Sequence, residues 1–435
     1  MNDETVVGKV GKFNIAFRPR RQSSHAGAVL MQQLIKQLGV AMILDEEIRV
    51  KERERGFGES VYLLAIVWNL ILGGECVDDL NVLRGDPGTL RLIELERLPT
   101  PRATGKFLRR FQIGDVRDLQ RALRLIQGRA HQHVLKWLPV ATCTIDLDSS
   151  IFEQYAKKRE GVKYAYNGER GYAPLFAFWA EVGELLFSHL QSGNVYASKK
   201  AVWFMSQVLL CVPQGLKLKL RADSAFYSWK FIGFCEAKKI IYAITADQTK
   251  RLRRVIQALE ESLWETDSEN PAVQVSEFRY QPVRHSEHRY VVKRAAKRDV
   301  KGNWKYVYHA VVTNDETMKP AALVKWQLGR CNMENQIKEH KIGFSLEHFP
   351  NQKFFANWVY LLAGQLAFNL VAWFKYLILP ERYLTATIKT QRHHLFNLSG
   401  KIVTTGGQFF LIISDEYLYQ DVWHCAINNL AALDD

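Results

Sequence analysis

The chain changes its periodicity at Thr142, and the stretch from there to Asp247 constrains the fold more than any other. In TCTIDLDSS the residues Cys143, Ile145 and Leu147 alternate with Thr144, Asp146 and Asp148, which is the two-residue period of a strand. PLFAFWAE and ELLFSHLQ make two further strands, with Val182 and Gly183 at a tight turn between them. Residues 198–212 read as a helix, LKLKLRAD (216–223) as a fourth strand, 225–238 as a second helix, and IIYAITAD as a fifth strand.

Three meandering strands followed by right-handed crossover units is the order of the ribonuclease H fold, an α/β mixed sheet with flanking helices. Before residue 140 the pattern is mainly helical, with helical spacing over 28–44, 61–72 and 107–138. In LPTPRATGKFLRRF, Pro99 and Pro101 interrupt the chain and Thr104 is placed to cap a helix bearing Lys106, Arg109 and Arg110 on its early turns. Such a helix suits a DNA groove or phosphates, and equally a solvated basic face of a bundle. After Lys250 come a charged helix and three alternating segments, VQVSEFRY, HRYVVKRA and KYVYHAVVT, with Gly302 at a turn, which reads as a small inserted sheet. A helix then runs from Lys319 to Lys341, a long apolar one occupies 354–379, and the tail holds two short strands and a terminal helix.

A length of 435 residues with 47% apolar side chains predicts two or three domains, and a formal charge of +14 points to a polyanionic partner. The six cysteines form no CxxC pair, which argues against zinc sites and disulfides and fits a reducing compartment. No membrane span is expected. VYLLAIVWNLIL (61–72) is too short to cross a bilayer, and 357–380 is interrupted by Asn357, Gln365, Asn369 and Lys375, as in a helix buried against a sheet. The N-terminus shows no signal-type apolar run.

The acids carry the chemistry. Asp146 and Asp148 share a face of the first strand, and Asp223 ends the fourth, which this topology places beside it. Clustered carboxylates in a basic chain call for a cation, and hard oxygen ligands suit Mg2+ or Mn2+. Each aspartate taken singly also reads as a helix cap. In KWQLGRCNMENQIKEHK, at 100° per residue, Gln327, Arg330, Glu334, Lys338 and Lys341 fall in one arc, flanked by an apolar stripe of Trp326, Met333 and Ile337. That presents one carboxylate among cations, although Arg330, Glu334 and Lys338 also make an ordinary i,i+4 ladder.

TIDLDSS, RADSAF and the R-x3-E-x6-K helix together resemble the DDE insertion-sequence transposases with a YREK-type signature, and the resemblance runs from about residue 60 to beyond 370. It implies a ribonuclease H-like catalytic core with a β-rich insertion and a metal-binding triad of Asp148, Asp223 and Glu334, with Asp146 as a further candidate ligand. Two Mg2+ (or Mn2+) ions are the implied cofactors. Arg330 and Lys341 match the signature's basic residues, and Lys338 stands where another phosphate-contacting cation is often found. Gln327 replaces the signature tyrosine, and is expected on the DNA with Lys106, Arg109, Arg110 and Trp304, the last stacking on an unpaired base.

The domain organisation so implied is 1–140, a helical DNA-binding domain; 141–250 and 316–380, the two parts of the catalytic domain; 251–315, the insertion; and 381–435, a region for DNA binding or dimerisation. The expected function is cut-and-paste transposition by a homodimer on double-stranded terminal inverted repeats and target DNA, in a bacterial cytoplasm near the nucleoid. Two other functions stay open: a sequence-specific DNA-binding protein without cleavage, and another ribonuclease H-like nuclease.

Overall fold

The helices of the first third of the chain pack around one that has almost no polar face. The computed structural model describes residues 6–10, 12–16, 22–53, 56–156, 158–165, 167–298 and 302–433. Ala28–Gln37 (α1) and Val40–Glu47 (α2) lead to Glu59–Leu72 (α3), which is buried continuously from Leu63 to Leu72. A helix apolar on all sides needs neighbours on all sides. α2 is one, Pro101–Leu108 (α4) is another through Phe107 stacked on Tyr62, and the long amphipathic Ile113–Trp137 (α5) packs on α2. The cap of α4 is Thr100, whose hydroxyl accepts from the Ala103 amide at 3.2 Å, with Pro101 next to it. Thr104, expected as the cap, is buried within the helix, so Lys106 falls in its last turn and Arg109 and Arg110 just beyond.

The central sheet follows. Its strands are Thr142–Ser149 (β1), Leu175–Trp179 (β2), Glu184–His189 (β3), Lys217–Ala222 (β4), Ile241–Thr245 (β5), Glu265–Thr266 (β6), Val273–Tyr280 (β7), His288–Arg298 (β8) and Trp304–Thr313 (β9). Their order is β6-β7-β8-β9-β5-β4-β1-β2-β3. The first five, in the spatial sequence β3-β2-β1-β4-β5, form the ribonuclease H arrangement: β1 antiparallel to β2 and parallel to β4, which is parallel to β5. Crossovers through Ala197–Val208 (α6) and Trp229–Ala237 (α7) connect the parallel strands. The inserted strands do not form a sheet of their own, because β9 pairs antiparallel with β5 and carries β8, β7 and β6 outward as a continuation.

The helix expected over 319–341 is divided into Pro320–Leu328 (α8) and Cys331–Lys338 (α9), followed by a π turn at Glu339–Gly343. The cause is a side chain from the sheet. Arg221 Nη1 donates to the Trp326 carbonyl at 2.8 Å, taking the acceptor that a continuous helix would offer to the Arg330 amide. The Arg330 amide instead donates to Gln327 O. Gly329 is the residue that lets Arg221 in, since a Cβ there would stand 2.5 Å from its Nη1.

Phe354–Leu377 (α10) is long and apolar enough to cross a membrane, and 89% of its most apolar window is buried inside the fold. Its polar residues close the free edge of the sheet. Asn369 Oδ1 accepts from the Leu185 amide, and Asn369 Nδ2 donates to the Leu185 carbonyl, both at 2.9 Å. Gln365 accepts from Ser188 Oγ and donates to Leu185 O. Glu184 on the same strand is fully buried and accepts from Gln127, His131 and Trp373, each at 2.9 Å, tying α5 and α10 to the sheet. At the other end of the chain, Gly400–Thr405 (β10) pairs with Gln408–Ile412 (β11) and with Gln22–Ser23, and Gln420–Leu433 (α11) packs on α1. The tail therefore joins the N-terminal helices.

Candidate active site

The parallel pairing of β1 with β4 sets Arg221 opposite Asp146 and ends with Ala222 opposite Leu147. One further step of that register brings Asp223 beside Asp148, at the C-terminal ends of the two strands, where α/β sheets open their clefts. Asp223 adopts an extended backbone and caps the turn after β4, with Oδ1 accepting from the Ala225 amide at 3.1 Å. The capping role read from sequence therefore holds, and it leaves the second carboxylate oxygen free of any hydrogen bond among the described residues.

Asp146 and Asp148 part company. Asp146 is buried and receives both bonds of the Arg221 fork, at 2.6 and 2.7 Å, so its carboxylate is committed to an internal ion pair. That corrects its standing as a candidate ligand. Asp148 lies at the mouth of the cleft, its Oδ1 accepting from the Ser149 amide at 2.7 Å and its Oδ2 from Arg330 Nη1 at 2.9 Å. Arg330 Nη2 also stands 3.8 Å from Glu334 Oε1. The side chain of Glu334 is 62% exposed and leans over the cleft from α9.

Three carboxylates thus face one guanidinium. Burial pushes the Asp148 carboxyl up to about 6; Arg330 opposes this, and the nearby Asp223 and Glu334 add to it. Burial raises Asp223 as well, with Arg330 again opposing. Among the described residues no three acids stand close enough to ligate one ion, because the Arg330 guanidinium is wedged between Asp148 and Glu334. The metal-binding triad implied by the resemblance is therefore not closed in this conformation. The donor set nonetheless fits a hard divalent cation: the acids offer oxygen ligands only, and Glu334 presents an exposed carboxylate on the cleft wall.

The cleft between β1 and α9 is lined by Asp148, Ser149, Glu334, Lys338, Lys341 and Glu347. Lys338 is exposed at its rim. Lys341 is placed there by the π turn, its Nζ donating to Ile151 O at 3.1 Å and lying 5.1 Å from the Phe152 ring centroid. Single wide turns of this kind recur at functional sites. His340, the residue between, points the other way and is fully buried against Phe176 and Phe368.

Gln327 is not at the cleft. It is 2% exposed, donating to Thr245 Oγ1 at 2.9 Å and paired through Oε1 with His309. The helix break explains the error: the arc of polar residues assumed one continuous helix, and Gln327 belongs to the segment turned onto the sheet. Of the neighbouring apolar stripe, Met333 and Ile337 are buried, while Trp326 stacks beneath Lys219 and Arg221.

Lys106, Arg109 and Arg110 line a separate groove with Lys51, Arg53 and Tyr62. Sequence reading missed Arg53, exposed in the charged run KERER, and Lys51, whose ammonium is paired with Glu59 at 3.2 Å and donates to the Phe57 carbonyl at 2.8 Å. It also missed Arg221, which strand alternation places on the same side as Asp223. Trp304 is 66% exposed at the far end of the β8–β9 hairpin, with Arg298 5.0 Å from its ring centroid.

No curated protein matches the chain. Among solved structures, a piggyBac transposase synaptic complex with hairpin DNA is similar over 85% of this chain and 78% of that one, at 11% identity and a TM-score of 0.43. The family described as "Transposase DDE domain group 1" matches residues 7–435. The chain belongs to that family and is a DDE transposase, an enzyme that uses divalent metal to cleave DNA.

Proposed function

We propose that Asp148, Asp223 and Glu334 hold two Mg2+ (or Mn2+) ions, and that this transposase cuts at the terminal inverted repeats of an insertion sequence and joins the freed ends to target DNA, cut-and-paste, as a homodimer. The observation that carries the site assignment is the grouping of three acids around one guanidinium, that of Arg330, at the mouth of one cleft. When bound, the metals supply the Lewis acidity for in-line phosphoryl transfer, first to water and then to the freed 3′-hydroxyl.

The remaining work falls to side chains of this chain. Arg330, bonded to Asp148 and 3.8 Å from Glu334, stands beside the cut with a fork suited to phosphate. Lys338 and Lys341 grip the backbone on the other flank of the acids. Lys106, Arg109 and Arg110, with Arg53, hold DNA away from the cut, and Trp304 offers an exposed ring to an unpaired base. The test is cleavage of a repeat-bearing duplex in Mg2+. Asp148→Ala, Asp223→Ala and Glu334→Gln should each stop strand cleavage while DNA binding persists, and retained cleavage in any of the three would remove that residue from the site.

A further inference from the structure

A second cavity adjoins the lysine-lined cleft at the end of the Asp148 strand. Its volume is about 440 Å3, within the range of small-molecule sites. It shares Ser149 and Ser150 with that cleft, and it also touches Ala225, two residues beyond Asp223. The two openings therefore adjoin at the strand end that carries Asp148.

The walls of this cavity differ from those of the cleft. Tyr164 and Tyr196 line it and are 69% and 60% exposed, with Lys199 Nζ 5.9 Å from the Tyr196 ring centroid. The side chains of Asn167 and Asn194 are also on the wall and exposed; Asn167 Oδ1 accepts from the Glu169 amide at 3.1 Å, which leaves its NH2 as a donor, and Asn194 offers an amide beside it. The floor is close-packed backbone. Gly193 lies so near the strand pair beneath it that a Cβ would stand 2.5 Å from Lys163 O and 2.6 Å from Gly171 O, which fixes the Asn194–Tyr196 wall in place. The cavity lining contains no lysine or arginine, so phosphate is not its natural occupant. Flat aromatic faces with amides beside them suit a heterocycle.

We propose that this cavity receives an unpaired nucleobase of the strand being cut, stacked on Tyr164 or Tyr196 with its edge read by Asn167 and Asn194. The proposal rests on the triad reading for its location and adds a base-recognition subsite to it. Seating a base there would draw the neighbouring phosphate toward Asp148, so the subsite would favour distorted or already unpaired DNA.

The experiment uses the full-length protein without metal, so that binding is read apart from cleavage. The probes are two otherwise identical duplexes, one fully paired and one with a single 5-iododeoxyuridine opposite an abasic gap. Wild type should prefer the gapped duplex, and photo-crosslinking should map to Tyr164 or Tyr196. The double variant Tyr164→Ala/Tyr196→Ala should lose about tenfold of that preference, while Tyr164→Phe/Tyr196→Phe keeps it. An unchanged preference in the alanine variant, or crosslinks mapping only to Trp304, would overturn the proposal. Cleavage by Asp148→Asn, measured in parallel with Mg2+, reports on the triad separately: its survival would sink the triad reading without touching the crosslink result.

Discussion

Asp146 and Asp148 sit two residues apart on one strand and face the same way, yet their surroundings are opposite. Asp146 has a partner of its own, a forked arginine held at 2.6 and 2.7 Å in the interior, which in turn grips the Trp326 carbonyl. Asp148 has a share in a partner, one bond from an arginine that also leans toward Glu334. A satisfied buried pair is architecture, and its removal strands a charge. An acid left short of positive charge at a cleft mouth is prepared for something that arrives from outside. Sequence alternation makes the two aspartates equivalent, and only their partners tell them apart.

The sharpest way to break this contrast is to remove each acid in turn. Asp148→Ala is expected to eliminate cleavage in a plasmid-nicking assay, well beyond the ~10–100-fold loss typical of a residue that only supports a metal ligand, with thermal stability close to wild type. Arg221→Ala should do the reverse of the stability result, costing about 3–5 kcal/mol in chemical denaturation because Asp146 is left buried and alone. It should also let α8 and α9 merge, so any soluble variant would cleave poorly. Should Arg221→Ala denature like wild type, Asp146 would no longer count as architecture.

Arg330→Ala separates the two duties assigned to that side chain. Calorimetry with Mn2+ on the DNA-free protein should show tighter binding, severalfold, since the metal no longer competes with a guanidinium for Asp148. Strand cleavage should fall in the same variant. Weaker metal binding would mean that Arg330 organises the acids instead of standing in for the ion.

The pH dependence is the gentlest probe. Asp148 has its carboxyl raised to about 6 against ~3.9 for an unfolded aspartate, so the native state holds the extra proton between those values. This group's contribution to stability therefore declines as pH rises from about 4 to about 6, and is constant above. Metal binding needs the deprotonated form, so Mn2+ affinity should climb through the same window and level off. In Asp148→Asn the climb should flatten, and a titration identical to wild type would place the responsible proton elsewhere.

Much of the fold was legible because its strands keep a strict two-residue period and its crossover helices are amphipathic. The insertion was legible as strands but not in its attachment, since alternation in KYVYHAVVT says nothing about which neighbour β9 will choose. The site was legible in its acids and in Arg330, Lys338 and Lys341, whose spacing survives the irregular helix. Gln327 was misplaced for a reason no local pattern contains: Arg221, distant in the chain, takes a carbonyl and resets the helix at Gly329. The basic groove was half visible, because Lys51 and Arg53 reach it through a loop without periodicity.

The amides of Gln365 and Asn369 that occupy the Leu185 backbone have a consequence for how such a chain can diversify. They make the sheet grow in one direction only. Strand addition at the β3 border meets hydrogen-bonding groups already saturated by α10, which also discourages two copies from zipping together there. The opposite border ends in the two-residue β6, so added length accumulates on that side, away from the helical body and beyond β5. An engineer wishing to graft new sequence onto this scaffold without disturbing its acids should lengthen the hairpins of that far margin.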